Sequence, residues 1–114
     1  MSSSGRSDQR RATDRHQVVV HAIAVTAYTH VRCTIENMSL GGVRVAMPMA
    51  LGLPRDHTVR LRFFLPDIKQ EIDNSAMVCW SERMALGLRF ENLRTRERSA
   101  IDTYLSRLIT RISP

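Results

Sequence analysis

The feature that most constrains this 114-residue chain is an alternation of apolar and polar side chains, repeated in short runs that turn residues interrupt. A period of two buries one face of a β-strand and leaves the other in solvent. Val31, Cys33 and Ile35 alternate with Arg32, Thr34 and Glu36, and Val43, Val45 and Met47 alternate with Arg44 and Ala46. Val59, Leu61, Phe63 and Leu65 alternate with Arg60, Arg62 and Phe64, and Leu86, Leu88 and Phe90 with Gly87 and Arg89. Two further strands are predicted. Val18 to Tyr28 is apolar and β-branched on both faces, which reads as a fully buried strand; Lys69 to Ser81 reads as a long one with Ile72, Ala76, Val78 and Trp80 on one face. Asn37-Met38-Ser39-Leu40-Gly41-Gly42 is a hairpin connection whose glycines tolerate positive φ. Pro48 to Asp56, with two prolines and a glycine, is a loop, and Pro66-Asp67 begins a turn.

The period then changes. Ile101, Tyr104, Leu105, Leu108 and Ile112 follow the spacing of one helical face, opposite Arg98, Asp102, Ser106 and Arg107. Thr95 is the expected N-cap, with Glu97 in the first turn. Six short strands followed by one amphipathic helix predict an all-β, six-stranded antiparallel barrel with one C-terminal α-helix packed on it. The chain divides into a basic, flexible N-terminal arm at 1–16, a barrel at 17–92 and a helical segment at 93–114. A length of 114 residues fits one domain.

No run of 18 apolar residues is present, so no membrane-spanning helix is expected. Met1 to Arg15 is polar and basic, unlike a secretory signal, which points to the cytoplasm. In that compartment Cys33 and Cys79, which share no metal-ligand spacing, are expected to be free thiols in the core. The net charge is +6, and sixteen of the seventeen basic residues are arginine. A basic surface favours anionic partners: a nucleotide, a nucleic acid or an acidic protein face.

Two clusters carry chemistry. Arg10-Arg11-Ala12-Thr13-Asp14-Arg15, at the junction of arm and first strand, separates Arg11 from Arg15 by three residues. Arginine grips phosphate with two parallel N–H bonds, takes guanine through O6 and N7, and stacks on a base. The second cluster is Asn37-x-Ser39-x-x-Gly42 at a strand end, where short polar groups and bare backbone let a ligand come close. Taken singly, the first is a solvated basic terminus and the second an ordinary Asx-type turn. Trp80, the only tryptophan, either joins the core or stacks on a base from the barrel surface. Arg44 and Arg89 lie on strand faces away from the apolar stripe.

In this order and spacing, RxxxR followed by NxSxxGG between two strands resembles the PilZ domain family, whose hallmark is RxxxR and then D/N-x-S-x-x-G. Val78-Cys79-Trp80 and Leu86-Gly87-Leu88-Arg89-Phe90 look like its closing strands, and Arg96–Arg111 like its terminal helix, so the resemblance spans about residues 9–112. It implies a receptor for the bacterial second messenger cyclic di-GMP that changes conformation on binding and signals to a partner protein in motility or biofilm regulation. It assigns guanine and phosphate contacts to Arg11 and Arg15, and a guanine contact to Asn37 and Ser39. The Gly41–Gly42 bend passes close to the ligand. Arg10, just before RxxxR, is similar to the type that binds a stacked pair of ligands. No cofactor is implied.

Catalysis has no support in the residues. His16, His21, His30 and His57 are scattered, and neither HExxH nor GxSxG occurs. The competing function is a nucleic-acid-binding β-barrel, which shares the basic charge. Such modules present an aromatic platform, whereas the six aromatics here are dispersed and Phe63, Phe90 and Tyr104 fall at core positions.

Overall fold

The computed structural model describes residues 15–112. Its strands are β1 (His16–Val25), β2 (His30–Met38), β3 (Gly42–Ala46), β4 (Thr58–Leu65), β5 (Gln70–Glu82) and β6 (Ala85–Phe90), followed by the helix α1 (Thr95–Ile112). All pairings are antiparallel, and the strands close in the order β1-β2-β3-β6-β5-β4. The seam between β1 and β4 is short, running from Ala22↔Phe63 to Val25↔Arg60.

Alternation places the core as expected: Val31, Cys33, Ile35, Val43, Val45, Val59, Leu61, Phe63, Leu65, Leu86, Leu88 and Phe90 all point inward and are buried. Phe63 and Phe90 meet across the interior with ring centroids 6.2 Å apart. Ala100, Ile101, Tyr104 and Leu105 of α1 join the same cluster, and Arg107 donates a 3.1 Å hydrogen bond to the Asp67 carbonyl in the β4–β5 turn. Asp56 N–H donates to Val78 O and Val78 N–H to His57 O, which ties the end of the long 47–57 loop to β5.

Four expectations need correction. β1 is not buried on both faces. Val18, Val20, Ala22 and Ala24 point inward, whereas Val19 and Ile23 face outward and are exposed, because a strand on a barrel wall has only one interior side. The strand ends at Val25, and Tyr28 is exposed in the turn that Thr26 closes by accepting N–H bonds from Tyr28 and Thr29. Cys79 is only half-buried, although Cys33 is in the core and both are free thiols. The Arg94 carbonyl accepts the Arg98 N–H, so Arg94 holds the N-cap position and Thr95 is the first helical residue. The fourth concerns Trp80 and bears on the site.

Candidate functional site

The register between Val78 and Trp80 shifts: Val78 pairs with Leu88, but Trp80 pairs with Gly87. A bulge of this kind inserts one residue and turns the following side chain to the other face. Trp80 therefore leaves the face shared by Ile72, Ala76 and Val78 and lies half-buried on the outside of the barrel. A second irregularity, between Ile35 and Asn37, does the same for the end of β2: Ile35 and Met38 are buried while Asn37 pairs with outward-facing Arg44. Cross-strand partners share a face, so Asn37, Arg44, Gly87 and Trp80 form one outer row across β2, β3, β6 and β5. Gly42 and Arg89 are paired in the adjacent row.

Gly87 is what lets the row accommodate an indole. A Cβ there would overlap Nε1, Cε2 and Cδ1 of Trp80. The Arg44 guanidinium lies over the same ring, 5.2 Å from its centroid.

The β2–β3 connection is a three-residue turn organised by Ser39, which is 5% exposed. Its Oγ accepts the N–H groups of Gly41 (3.1 Å) and Gly42 (3.2 Å) and donates to the Gly42 carbonyl (3.3 Å). A hydroxyl has one donor and two acceptor sites, and the turn uses all three. Ser39 N–H also donates to Gly42 O, and Phe90 N–H to Gly41 O, which binds the turn to β6. The two glycines differ. A Cβ at Gly42 would run into the Leu88 carbonyl oxygen, so β3 and β6 need glycine there to approach each other; at Gly41 the nearest atom is Ser39 Oγ at 3.8 Å, an ordinary contact.

Against this turn lies a surface cavity of about 240 Å³. Arg15, Ser39, Gly41, Gly42 and Trp80 line it, together with Arg89, Leu88, Gly87 and Cys79. Arg15, the last residue of the arm cluster, thus meets the glycine turn on one surface. Among the described residues neither Arg15 nor Arg89 has a carboxylate within ion-pair distance, whereas Arg44 pairs with Glu36 and Glu82, and Arg60 and Arg62 share Asp73. Two guanidiniums without a carboxylate partner among the described residues, beside a half-buried indole, make the cavity receptive to an anion bearing a flat ring.

Asn37 lies in the outer row but does not line the cavity, and Arg10 and Arg11 lie outside the described residues. Gly87, Cys79 and Leu88 belong to neither motif, yet line the cavity. The signal for Gly87 was a glycine at an outward position within a strand, which marks close approach of another group. A larger groove of about 700 Å³ on the outer face of β1, β2, β4 and β5, with Ile23, Phe64, Arg32 and Arg62 in its walls, contains none of the motif residues.

The family model of the PilZ domain matches residues 9–107. No curated protein matches the sequence. Among solved structures, the Bacillus subtilis inhibitor of motility (MotI/DgrA) is similar with a TM-score of 0.78 at 20% identity, covering 88% of this chain and 51% of that one. Escherichia coli YcgR in complex with c-di-GMP gives a TM-score of 0.75 at 17% identity, covering 90% and 47%. The YcgR PilZ domain with c-di-GMP gives 0.73 at 17% identity, covering 90% and 93%. The chain spans about half the length of MotI and of YcgR. At these identities the structural likeness concerns the fold.

Proposed function

The chain belongs to the PilZ domain family, and on that premise we propose that it is a receptor for cyclic di-GMP which relays ligand binding to a partner protein. The observation that carries this reading is the convergence of Arg15 with the Ser39–Gly42 turn and Trp80 on one cavity, from three separate parts of the sequence. The occurrence of c-di-GMP with YcgR, whose fold is similar, supports it.

In this mechanism Arg15 grips a phosphate or guanine edge and Trp80 stacks on a base. Gly41 and Gly42 keep backbone close to the ligand, and Asn37 approaches the guanine from the outer row. Ser39 acts by holding the turn, since its hydroxyl is fully engaged. A cavity of about 240 Å³ is smaller than the roughly 300–1,000 Å³ typical for a whole small ligand, so it takes one base and leaves the rest of the dinucleotide for the arm. Arg11 is four residues from Arg15, which spans at most about 14 Å when extended. That distance lets Arg10 and Arg11 close over a ligand seated at the turn, and Arg10 favours a stacked pair. Ligand bound between Arg11 and the turn changes the surface a partner sees, and the output of a small cytoplasmic receptor of this kind falls on motility or biofilm machinery.

A nucleic-acid-binding barrel is disfavoured because Phe63, Phe90 and Tyr104 are in the core, leaving Trp80 as the one aromatic ring lining the cavity. Calorimetric titration with cyclic di-GMP, GTP and single-stranded DNA at two salt concentrations separates the readings. The expected result is binding of cyclic di-GMP with a shallow salt dependence, against a steep one for DNA. Arg11→Ala and Arg15→Ala should each remove about 2 kcal/mol or more of the binding energy. Undiminished binding by the double variant would show that the site is elsewhere.

A further inference from the structure

Arg44 belongs to neither motif, and it does not line the cavity. Its guanidinium nevertheless lies over the one ring that does, 5.2 Å from the Trp80 centroid. Its Nε is 3.5 Å from Glu36 Oε1, and its Nη2 is 3.9 Å from Glu82 Oε2. Glu36 sits at the β2 irregularity, beside Asn37, and Glu82 at the end of β5, two residues after Trp80. Gly87 leaves the lane in which the ring lies, Arg44 covers it, and one carboxylate on β2 and another on β5 pair with Arg44.

These ion pairs are exposed, with Glu82 at 65% and Arg44 at 36%, and exposed pairs add little to folding stability. Their consequence is directional. They place a planar cation over the indole that lines the cavity.

We propose that Arg44 is a positioning residue for ligand recognition: clamped by Glu36 and Glu82, it backs the Trp80 indole and presents the ring toward the cavity as a preset base platform. This rests on the reading that Trp80 meets a base of the ligand. A preset ring loses less conformational freedom when a base stacks on it.

Trp80 is the only tryptophan, so its fluorescence reports on this ring alone. The test compares the full chain with Arg44→Ala, Arg44→Lys and the double variant Glu36→Gln/Glu82→Gln. Without ligand, acrylamide quenching of Trp80 should rise at least about twofold in Arg44→Ala, as the ring is freed. Cyclic di-GMP should then bind about three- to tenfold more weakly to Arg44→Ala, and Arg44→Lys, which keeps the charge but lacks the planar fork, should recover part of the loss. The Gln pair should fall between wild type and Arg44→Ala. Urea midpoints should stay together, separating positioning from unfolding. If wild type binds and Arg44→Ala binds equally well with unchanged acrylamide quenching, the Arg44 inference fails alone. If wild type does not bind cyclic di-GMP, the receptor reading itself fails and the inference falls with it.

Discussion

Replacing Ser39 by alanine tests whether this hydroxyl works for the turn. The substitution removes the acceptor of two backbone N–H groups and one donor to the Gly42 carbonyl, which keeps its bond from Ser39 N–H. Gly41 is exposed, so water replaces its lost partner at a cost of about 0.5 kcal/mol. Gly42 is buried, and stranding its N–H costs about 1–2 kcal/mol more. The sum, about 2 kcal/mol, lowers the urea midpoint by about 1 M for a domain of this size. It also speeds amide exchange at Gly42 by about 30-fold if the turn opens locally. Affinity for cyclic di-GMP should fall by less than in Arg15→Ala, because only the shape of the turn is lost. A midpoint within about 0.2 M of wild type, with Gly42 exchange unchanged, would refute the assignment of the hydroxyl to the turn.

Two further outcomes are expected. Gly87→Ala places a methyl group where the indole lies, so Trp80 must move: its emission should shift to longer wavelength, stability should fall by about 1 kcal/mol, and an unchanged spectrum would contradict the packing. Burial raises the Cys33 thiol from 9.0 to about 11, against a smaller lowering by a backbone hydrogen bond from Ala24. An unfolded thiol therefore releases its proton near pH 9 while the folded one keeps it, so the stability present below pH 9 is lost as pH rises toward 11, by about 1.4 kcal/mol per pH unit at most. The stability difference between wild type and Cys33→Val, followed by urea unfolding from pH 8 to 11, should drift against wild type; a flat difference would show that Cys33 is not shielded.

Much of the fold is legible in the chain because alternation is a local property. Wherever apolar and polar residues strictly alternate, as in β2 and β4, the inward face is the one the pattern names, and the switch to helical spacing at Ile101 marks the only helix among the described residues. The motif residues were legible for a related reason. Arg15, Ser39 and Gly42 belong to short segments whose chemistry is unusual enough to stand out before their meeting point is known.

Local pattern is enough to say which side chains can form a barrel core and which short segments can receive an anion. Tertiary structure alone decided three things. The face of Trp80 depends on a bulge, which shifts the phase of every later residue and leaves no mark in a period-two pattern. The exposure of Val19 and Ile23 follows from closure of β1 onto β4, a pairing between distant segments that local hydrophobicity does not encode. Finally, the stacking of Arg44 on Trp80 requires β3 and β5 to be separated by a strand with glycine at the crossing point, and strand order is a property of the closed sheet.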